Sequence, residues 1–187
     1  MCKNNTIKKY TLQNTIEKFQ KNEALDFLFF WGHTVKEEIT KACFSQWFPC
    51  EFVEDGIVYK TAEHYMMANK AKLFSDNEIL EKVLNSETPN QAKSLGRKVK
   101  NFDSQIWDNH KYDIVKQANL LKFSQNQEFR DFLLSTGDKI IVEASPYDKI
   151  WGIGMLESDK NIQNPLLWNG ENLLGFALME VRDLLKN

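Results

Sequence analysis

Cysteine and histidine are scarce in this sequence of 187 residues. The three cysteines, Cys2, Cys43 and Cys50, are odd in number and show no CxxC spacing. We therefore expect no disulfide framework, and we expect the protein to lie in a reduced, cytoplasmic setting. The three histidines lie far apart in the chain, so the sequence predicts no zinc site and gives no reason to expect a metal or another cofactor.

Long hydrophobic runs are also missing. No run approaches the roughly eighteen apolar residues of a membrane span, and residues 1–9 lack the apolar core of a signal peptide. A strong excess of either charge is absent too, because the formal net charge is −2 and the pI is about 6.0. This balance weighs against membrane partners and against long nucleic acids, whose binding needs several phosphate contacts.

Length and composition predict one globular domain, since 42% hydrophobic residues in 187 are enough for a full core. Residues 1–24 are polar and lysine-rich without a clear period, which predicts an N-terminal extension or a loosely packed segment. Residues 25–187 are then the single domain. The apolar run 25–31 predicts a short buried strand, and 139–143 predicts another.

Turn and cap signals define the remaining elements. Asp55-Gly56 lies between two β-rich arms, which is a strong hairpin signal for residues 51–60. Six segments are predicted helices, which begin at or just after Thr61, Asp76, Thr88, Ser104, Asn126 and Asn172. The strands are short and do not alternate with the helices, so the fold class is α+β and mainly helical.

Glu63 and Lys70 are the most informative pair in the chain. Seven residues apart on one predicted helix, they lie on nearly the same face, with their Cα atoms roughly 10 Å apart. Met66 and Met67 lie between them and could form an apolar floor that desolvates the amine, which would free it for nucleophilic attack. The first-turn position of Glu63 favours its ionised form. The alternative is a solvated helix that carries an ordinary surface Glu and Lys.

A loop at residues 144–154 is the second candidate site. Asp148 could serve there as acid, base or hydroxyl acceptor, and Trp151 offers a flat surface for stacking a base or sugar. Tyr147 adds a second ring. The alternative is an aromatic anchor that fixes the loop to the core.

Two single residues have open interpretations. Trp107 lies one turn into the long predicted helix, where a tryptophan is more often core than ligand contact. Arg97 follows the helix stop at Gly96, and its guanidinium could hold phosphate or simply face solvent.

In combination these segments resemble the NADAR family of YbiA-like N-glycosidases. They follow the family order over roughly residues 28–185, which is nearly the whole chain. The matching segments are Phe44-Ser-Gln-Trp47, Thr61-Ala-Glu-His-Tyr65 with Lys70, Leu95-Gly-Arg97, Trp107, Lys122-Phe123, Ser-Pro-Tyr-Asp-Lys-Ile-Trp-Gly at 145–152, Asn172-Leu-Leu-Gly175 and Leu178-Met-Glu-Val-Arg182.

The resemblance implies an enzyme that cleaves N-glycosidic bonds of ribose-phosphate compounds without a cofactor. Family substrates are intermediates of riboflavin biosynthesis and, in other branches, ADP-ribose on guanine, so the expected partner is a small nucleotide or an ADP-ribosylated guanine in nucleic acid. A lysine Schiff base with ribose C1 has been proposed in the family, which suits Lys70.

The implied site residues follow from the matched motifs. The catalytic residues are Glu63, Lys70 and Asp148, and the substrate-binding residues are Trp107, Trp151, Tyr147, Arg97, Ser45 and Gly152. Two departures stand out: Gln46 and Trp47 replace the Asn and Phe of the family's Phe-Ser-Asn-Phe pattern, and Ile153 stands where some members have an acidic residue. A non-catalytic module that binds ADP-ribose or another nucleotide is the alternative function.

Overall fold

The computed structural model describes residues 8–186, and it confirms the mainly helical α+β class. None of the helices in this range is both long and apolar enough to cross a membrane. The elements are α1 (Leu12–Gln20), β1 (Phe27–Phe30), β2 (Phe52–Glu54), β3 (Ile57–Tyr59), α2 (Ala62–Leu73), α3 (Asn77–Asn85), α4 (Pro89–Gly96), α5 (Ser104–Gln125), α6 (Gln127–Ser135), β4 (Ile140–Glu143) and α7 (Leu173–Lys186).

The chain divides into two compact units. The first unit contains Gln46–Asn126, and the second contains the described parts of Ile7–Ser45 and Gln127–Asn187. The prediction that residues 25–187 form a single domain after an extension at 1–24 stays a prediction.

The first unit is built around α2. The predicted hairpin is confirmed as the antiparallel pair β2–β3, with Asp55 and Gly56 at φ 52° and 77°, the left-handed values that a tight two-residue turn requires. The hairpin leads directly into α2, which packs against α3, α4 and α5. Eight of its twelve residues are buried. The alternative of a solvated α2 is therefore wrong.

Local caps explain why the helices of the first unit begin where they do. The Oγ1 atom of Thr61 accepts a hydrogen bond from the backbone N–H of His64 at the start of α2. Asp76 and Asp103 cap α3 and α5 in the same way. Thr88 forms the predicted capping box at the start of α4, with Pro89 in the first turn.

The second unit is centred on two strands that are distant in sequence. β1 and β4 pair in parallel, with Phe27 opposite Ile140 and Phe30 opposite Glu143. The largely buried helix α7 packs on β4. Both strands are predicted from their apolar runs, but their pairing is not.

Helix α1 lies within the predicted extension. Thr11 caps it, and Thr15 is buried. Just before the helix, the Tyr10 hydroxyl donates a hydrogen bond of 2.7 Å to Asp183 in α7. A loosely packed segment is therefore wrong for residues 8–20, while residues 1–7 lie outside the described part of the chain.

The side chain of Asn172, just before α7, bonds to the backbone of β4, whereas the sequence predicts that it caps α7. Its φ is 56°, and its side chain turns toward the strand instead of the helix. Oδ1 accepts from the Glu143 N–H and Nδ2 donates to the Ile141 carbonyl, both at 2.9 Å. The predicted side-chain cap is wrong, because the strand offers this amide both a donor and an acceptor.

We expect Gly175→Ala to be strongly destabilising. A Cβ atom at Gly175 would lie 2.1 Å from the backbone oxygen of Ile141, so α7 would have to move away from β4. Overpacking against backbone atoms should lower the free energy of unfolding by about 3 kcal/mol, as measured by urea denaturation. Leu184→Ala on the exposed face of the same helix is the control, and an unchanged denaturation midpoint for Gly175→Ala would contradict the packing.

Candidate active site

Glu63 and Lys70 differ in exposure although they share α2. Glu63 is in the first turn and only 3% exposed, whereas Lys70 is half-buried near the other end. The backbone N–H of Glu63 donates a hydrogen bond of 3.0 Å to the Gln46 carbonyl. This bond fixes the first turn of α2 to the segment that precedes the hairpin.

The amine of Lys70 is covered by aromatic rings. Its Nζ atom lies 4.1 Å from the ring centroid of Phe102 and 5.5 Å from that of Trp107. Burial lowers the pKa of Lys70, and the positive charge of Arg97 lowers it further. The rings attract the ammonium form, which acts against the effect of burial. The expectation of a desolvated amine is confirmed.

Phe102 adds to the cover of this amine a ring that the predicted floor of Met66 and Met67 does not include. Met67 also packs on α4, since a Cβ atom at Gly96 would lie 2.0 Å from the Met67 sulfur. Phe102 is absent from the sequence predictions, because its place over the amine depends on a contact between distant parts of the chain.

Three predicted site residues come together in the first unit. Trp107 is half-buried and lies near the Lys70 amine, so it is not simply a core residue. Arg97 is exposed at the C-terminal end of α4, and its charge acts on Lys70. The cluster therefore combines an amine, a flat ring and an exposed guanidinium.

Buried polar residues on α5 add features that the site predictions do not include. Asn119 is fully buried and donates a hydrogen bond of 2.9 Å to Gln46. One turn later Lys122 is also fully buried, with its Nζ atom 5.8 Å from the Phe48 ring. Polar residues three apart on an otherwise buried helix face are the sequence signal that could have found them. Lys122 belongs to the family likeness, but no role was predicted for it.

The loop of the second unit is held by Asp148. Its Oδ1 atom accepts hydrogen bonds from the backbone N–H groups of Ile150 at 2.9 Å and Trp151 at 2.8 Å. Its own N–H donates to Ser145 Oγ at 3.3 Å. These contacts give the carboxylate a clear structural task, and its catalytic role stays a prediction.

The other predicted residues of the second unit have different surroundings. Gly152 is buried and a Cβ atom there would lie 2.8 Å from the Glu143 backbone oxygen, so only glycine fits. Tyr147 is 87% exposed and its ring centroid lies 6.2 Å from that of Trp31. Trp151 is half-buried, and Ser45 ends a short 3₁₀ helix at Lys41–Phe44. Binding roles for these four residues stay predictions.

Two cavities in the described part of the chain are lined by none of the predicted site residues. One of about 460 Å³ is lined by residues that include Lys9, Lys18 and Arg182 of the second unit. The other, of about 560 Å³, is a groove between α3 and α4. The covered amine of Lys70 indicates the active site better than either cavity does. A lysine with a perturbed pKa near another charged residue indicates function more directly than the volume of a cavity.

Comparisons with known proteins identify the family. Residues 29–186 match the NADAR domain. N-glycosidase R617 of Acanthamoeba polyphaga mimivirus is 46% identical over 166 residues, which are 86% of this chain and 97% of that protein. The riboflavin biosynthesis protein VVA0006 of Vibrio vulnificus (strain YJ016) is 32% identical over 142 residues, 76% of this chain and 35% of that protein.

A solved structure supports the same conclusion. The NMR structure of the Escherichia coli protein YbiA matches with a TM-score of 0.70 and 27% identity, over 87% of each chain. The chain belongs to the NADAR domain family. The family resemblance drawn from the motifs is therefore confirmed, and so is the expectation of an N-glycosidase enzyme.

Proposed function

We propose that this chain hydrolyses the bond between C1 of a ribose phosphate and the nitrogen of a base, with Lys70 as nucleophile and Glu63 as the group that moves protons. The candidate substrates are phosphoribosyl intermediates of riboflavin biosynthesis and ADP-ribosylated guanine. They share the ribose phosphate and the bond to be broken.

The observation that carries the proposal is the half-buried Lys70 amine under the rings of Phe102 and Trp107, where burial lowers its pKa. An amine acts as a nucleophile only when it is neutral, and an ordinary lysine is almost entirely protonated at neutral pH. Desolvation under Phe102 and Trp107 raises the neutral fraction. The side chain is still partly exposed, so a ligand can reach it.

The bonds change in two stages. The neutral amine of Lys70 attacks C1, the bond from C1 to the base nitrogen breaks, and its electron pair leaves with the base. Glu63 takes a proton from the attacking nitrogen and passes one to the leaving base. The Lys70 nitrogen then transfers its second proton to the ring oxygen, the bond from C1 to that oxygen breaks, and the sugar opens to an imine. Water hydrolyses the imine, which releases the ribose phosphate and restores the amine.

Other groups of the first unit supply binding and charge. An ionised Glu63 would stabilise the positive charge that develops at C1, as carboxylates do in glycoside hydrolysis. The ring of Trp107 offers a stacking surface beside the amine, and the exposed guanidinium of Arg97 suits a phosphate.

A chromatographic screen for released base tests the proposal. The enzyme would be incubated separately with the phosphoribosyl intermediates of riboflavin biosynthesis, ADP-ribosyl-guanosine and NAD, and free base would be measured over time. We expect release from at least one compound and release about a thousandfold slower from the Glu63→Gln control. Binding of these compounds without base release from any would overturn the proposal in favour of a non-catalytic nucleotide-binding module.

A further inference from the structure

Two buried amides on segments that contact α2 leave hydrogen-bonding atoms unused. Gln46 is 7% exposed and Asn119 is fully buried. Within residues 8–186, neither Nε2 of Gln46 nor Oδ1 of Asn119 has a hydrogen-bond partner. One atom is a donor and the other an acceptor, and buried polar groups of either kind are nearly always paired.

The orientation of the amides is fixed by the bonds that they do make. Asn119 Nδ2 donates to Gln46 Oε1 at 2.9 Å and to the Val115 carbonyl at 2.8 Å. Turning the Asn119 amide over would place its oxygen against that carbonyl, and turning Gln46 alone would oppose two N–H₂ groups. No exchange of oxygen and nitrogen satisfies all four atoms. The unused donor and acceptor are therefore a property of the pair.

Both residues belong to segments that contact α2, the helix of the proposed catalytic Glu63. The backbone carbonyl of Gln46 accepts the hydrogen bond from the Glu63 N–H at 3.0 Å. Asn119 lies on α5, which packs directly on α2. A buried polar atom without a partner costs stability, so such a pair on segments that contact α2 suggests use by a ligand.

We propose that Gln46 Nε2 and Asn119 Oδ1 together bind the 2-hydroxyl group of the substrate ribose, an inference that rests on the proposed function. A hydroxyl both accepts and donates, so one oxygen can satisfy both atoms. In glycoside cleavage, hydrogen bonds to the 2-hydroxyl strengthen as charge develops at C1, which is where Glu63 acts. Both atoms are enclosed, so a small side-chain movement accompanies entry of the hydroxyl.

The first test compares two sugar phosphates that differ only in this hydroxyl. Ribose 5-phosphate and 2-deoxyribose 5-phosphate would be titrated into the wild-type enzyme by calorimetry or NMR. We expect ribose 5-phosphate to bind at least about tenfold more tightly, since a site built for a hydroxyl rejects the analogue that lacks it. Equal affinity, or no binding of ribose 5-phosphate at millimolar concentration, would overturn the inference.

A double variant assigns the preference to the two amides. In Gln46→Met/Asn119→Leu the ribose preference should shrink to within about twofold, while the thermal unfolding midpoint stays equal or rises because the unpaired groups are gone. Gln117→Met is the matched control, because that amide lies on the same helix and has a partner in Glu54. A preference that survives in the double variant would contradict the assignment. If the double variant does not fold, Gln46→Met alone provides the same comparison.

The two proposals fail in different ways. Base release without a preference for the ribose hydroxyl would remove this inference and leave the N-glycosidase proposal intact. A ribose preference without base release from any compound would keep the binding site and remove the catalytic proposal.

Discussion

Replacing Glu63 with glutamine is expected to lower kcat by about a thousandfold, the scale of a lost acid–base group. The side chain is buried in the first turn of α2, and glutamine keeps its shape while losing its charge and its ability to carry a proton. Substrate contacts elsewhere are unaffected, so KM should change much less than kcat. Base release under saturating substrate measures the effect.

Fold and charge controls separate catalysis from stability. Glu78→Gln removes a carboxylate from the same helical position, the first turn of α3, where it is exposed and pairs with Lys82 and Lys100. We expect that variant to keep wild-type turnover. A Glu63→Gln enzyme that folds and retains more than about a tenth of the wild-type kcat would show that Glu63 is not the proton-transfer group, since such groups contribute at least about a hundredfold.

The position of Glu63 and Lys70 on one helix follows from local signals. Asp55-Gly56 specifies the hairpin turn, and Thr61 caps the helix that follows at once. Each signal acts over four residues or fewer, so it can be read directly from the chain. For the same reason the starts of α3 and α4 are predicted correctly from Asp76 and Thr88.

Contacts between distant segments cannot be read in this way. Phe102 covers the Lys70 amine from another part of the chain, and Gln46 meets Asn119 across the same unit. The pairing of β1 with β4 is equally distant. Periodicity reports which face of an element is apolar, but it does not report which partner covers that face.

The surroundings of a side chain also determine which chemical role it can have, and the residue type alone does not. The sequence allows either a solvated or a buried Glu63, and only packing against α3, α4 and α5 makes α2 a buried helix. Asp148 shows the reverse case, because its Oδ1 atom is engaged by two backbone N–H groups of its own loop. Motif likeness names such residues, whereas contacts define what each can do.

Lys70→Arg is expected to lower turnover by at least about a thousandfold, as loss of a nucleophile does in other enzymes. Arginine keeps the positive charge under the rings of Phe102 and Trp107, but it cannot form an imine with C1. Lys72→Arg, on the same helix, is the control and should keep its activity. A Lys70→Arg enzyme with substantial activity would show that the residue supplies only charge.

Borohydride trapping identifies the lysine directly. Reduction during turnover should fix the sugar on Lys70 as a stable secondary amine and block tryptic cleavage there, which leaves a modified peptide of residues 61–72. Modification of the fully buried Lys122 instead would move the nucleophile to α5. Product formation without any adduct would exclude the covalent route.

The pH dependence of turnover tests the desolvation of Lys70. The rate should rise with pH as the amine loses its proton, and because the pKa is lowered, the midpoint of this rise should lie below the 10.5 of an ordinary lysine. Phe102→Ala admits water to the amine, which raises the pKa and moves the rise to higher pH. Phe102→Leu keeps an apolar cover and should move it less. A shift to lower pH in Phe102→Ala would show that the ring acts mainly by attracting the ammonium form, which would contradict its role in desolvating the amine.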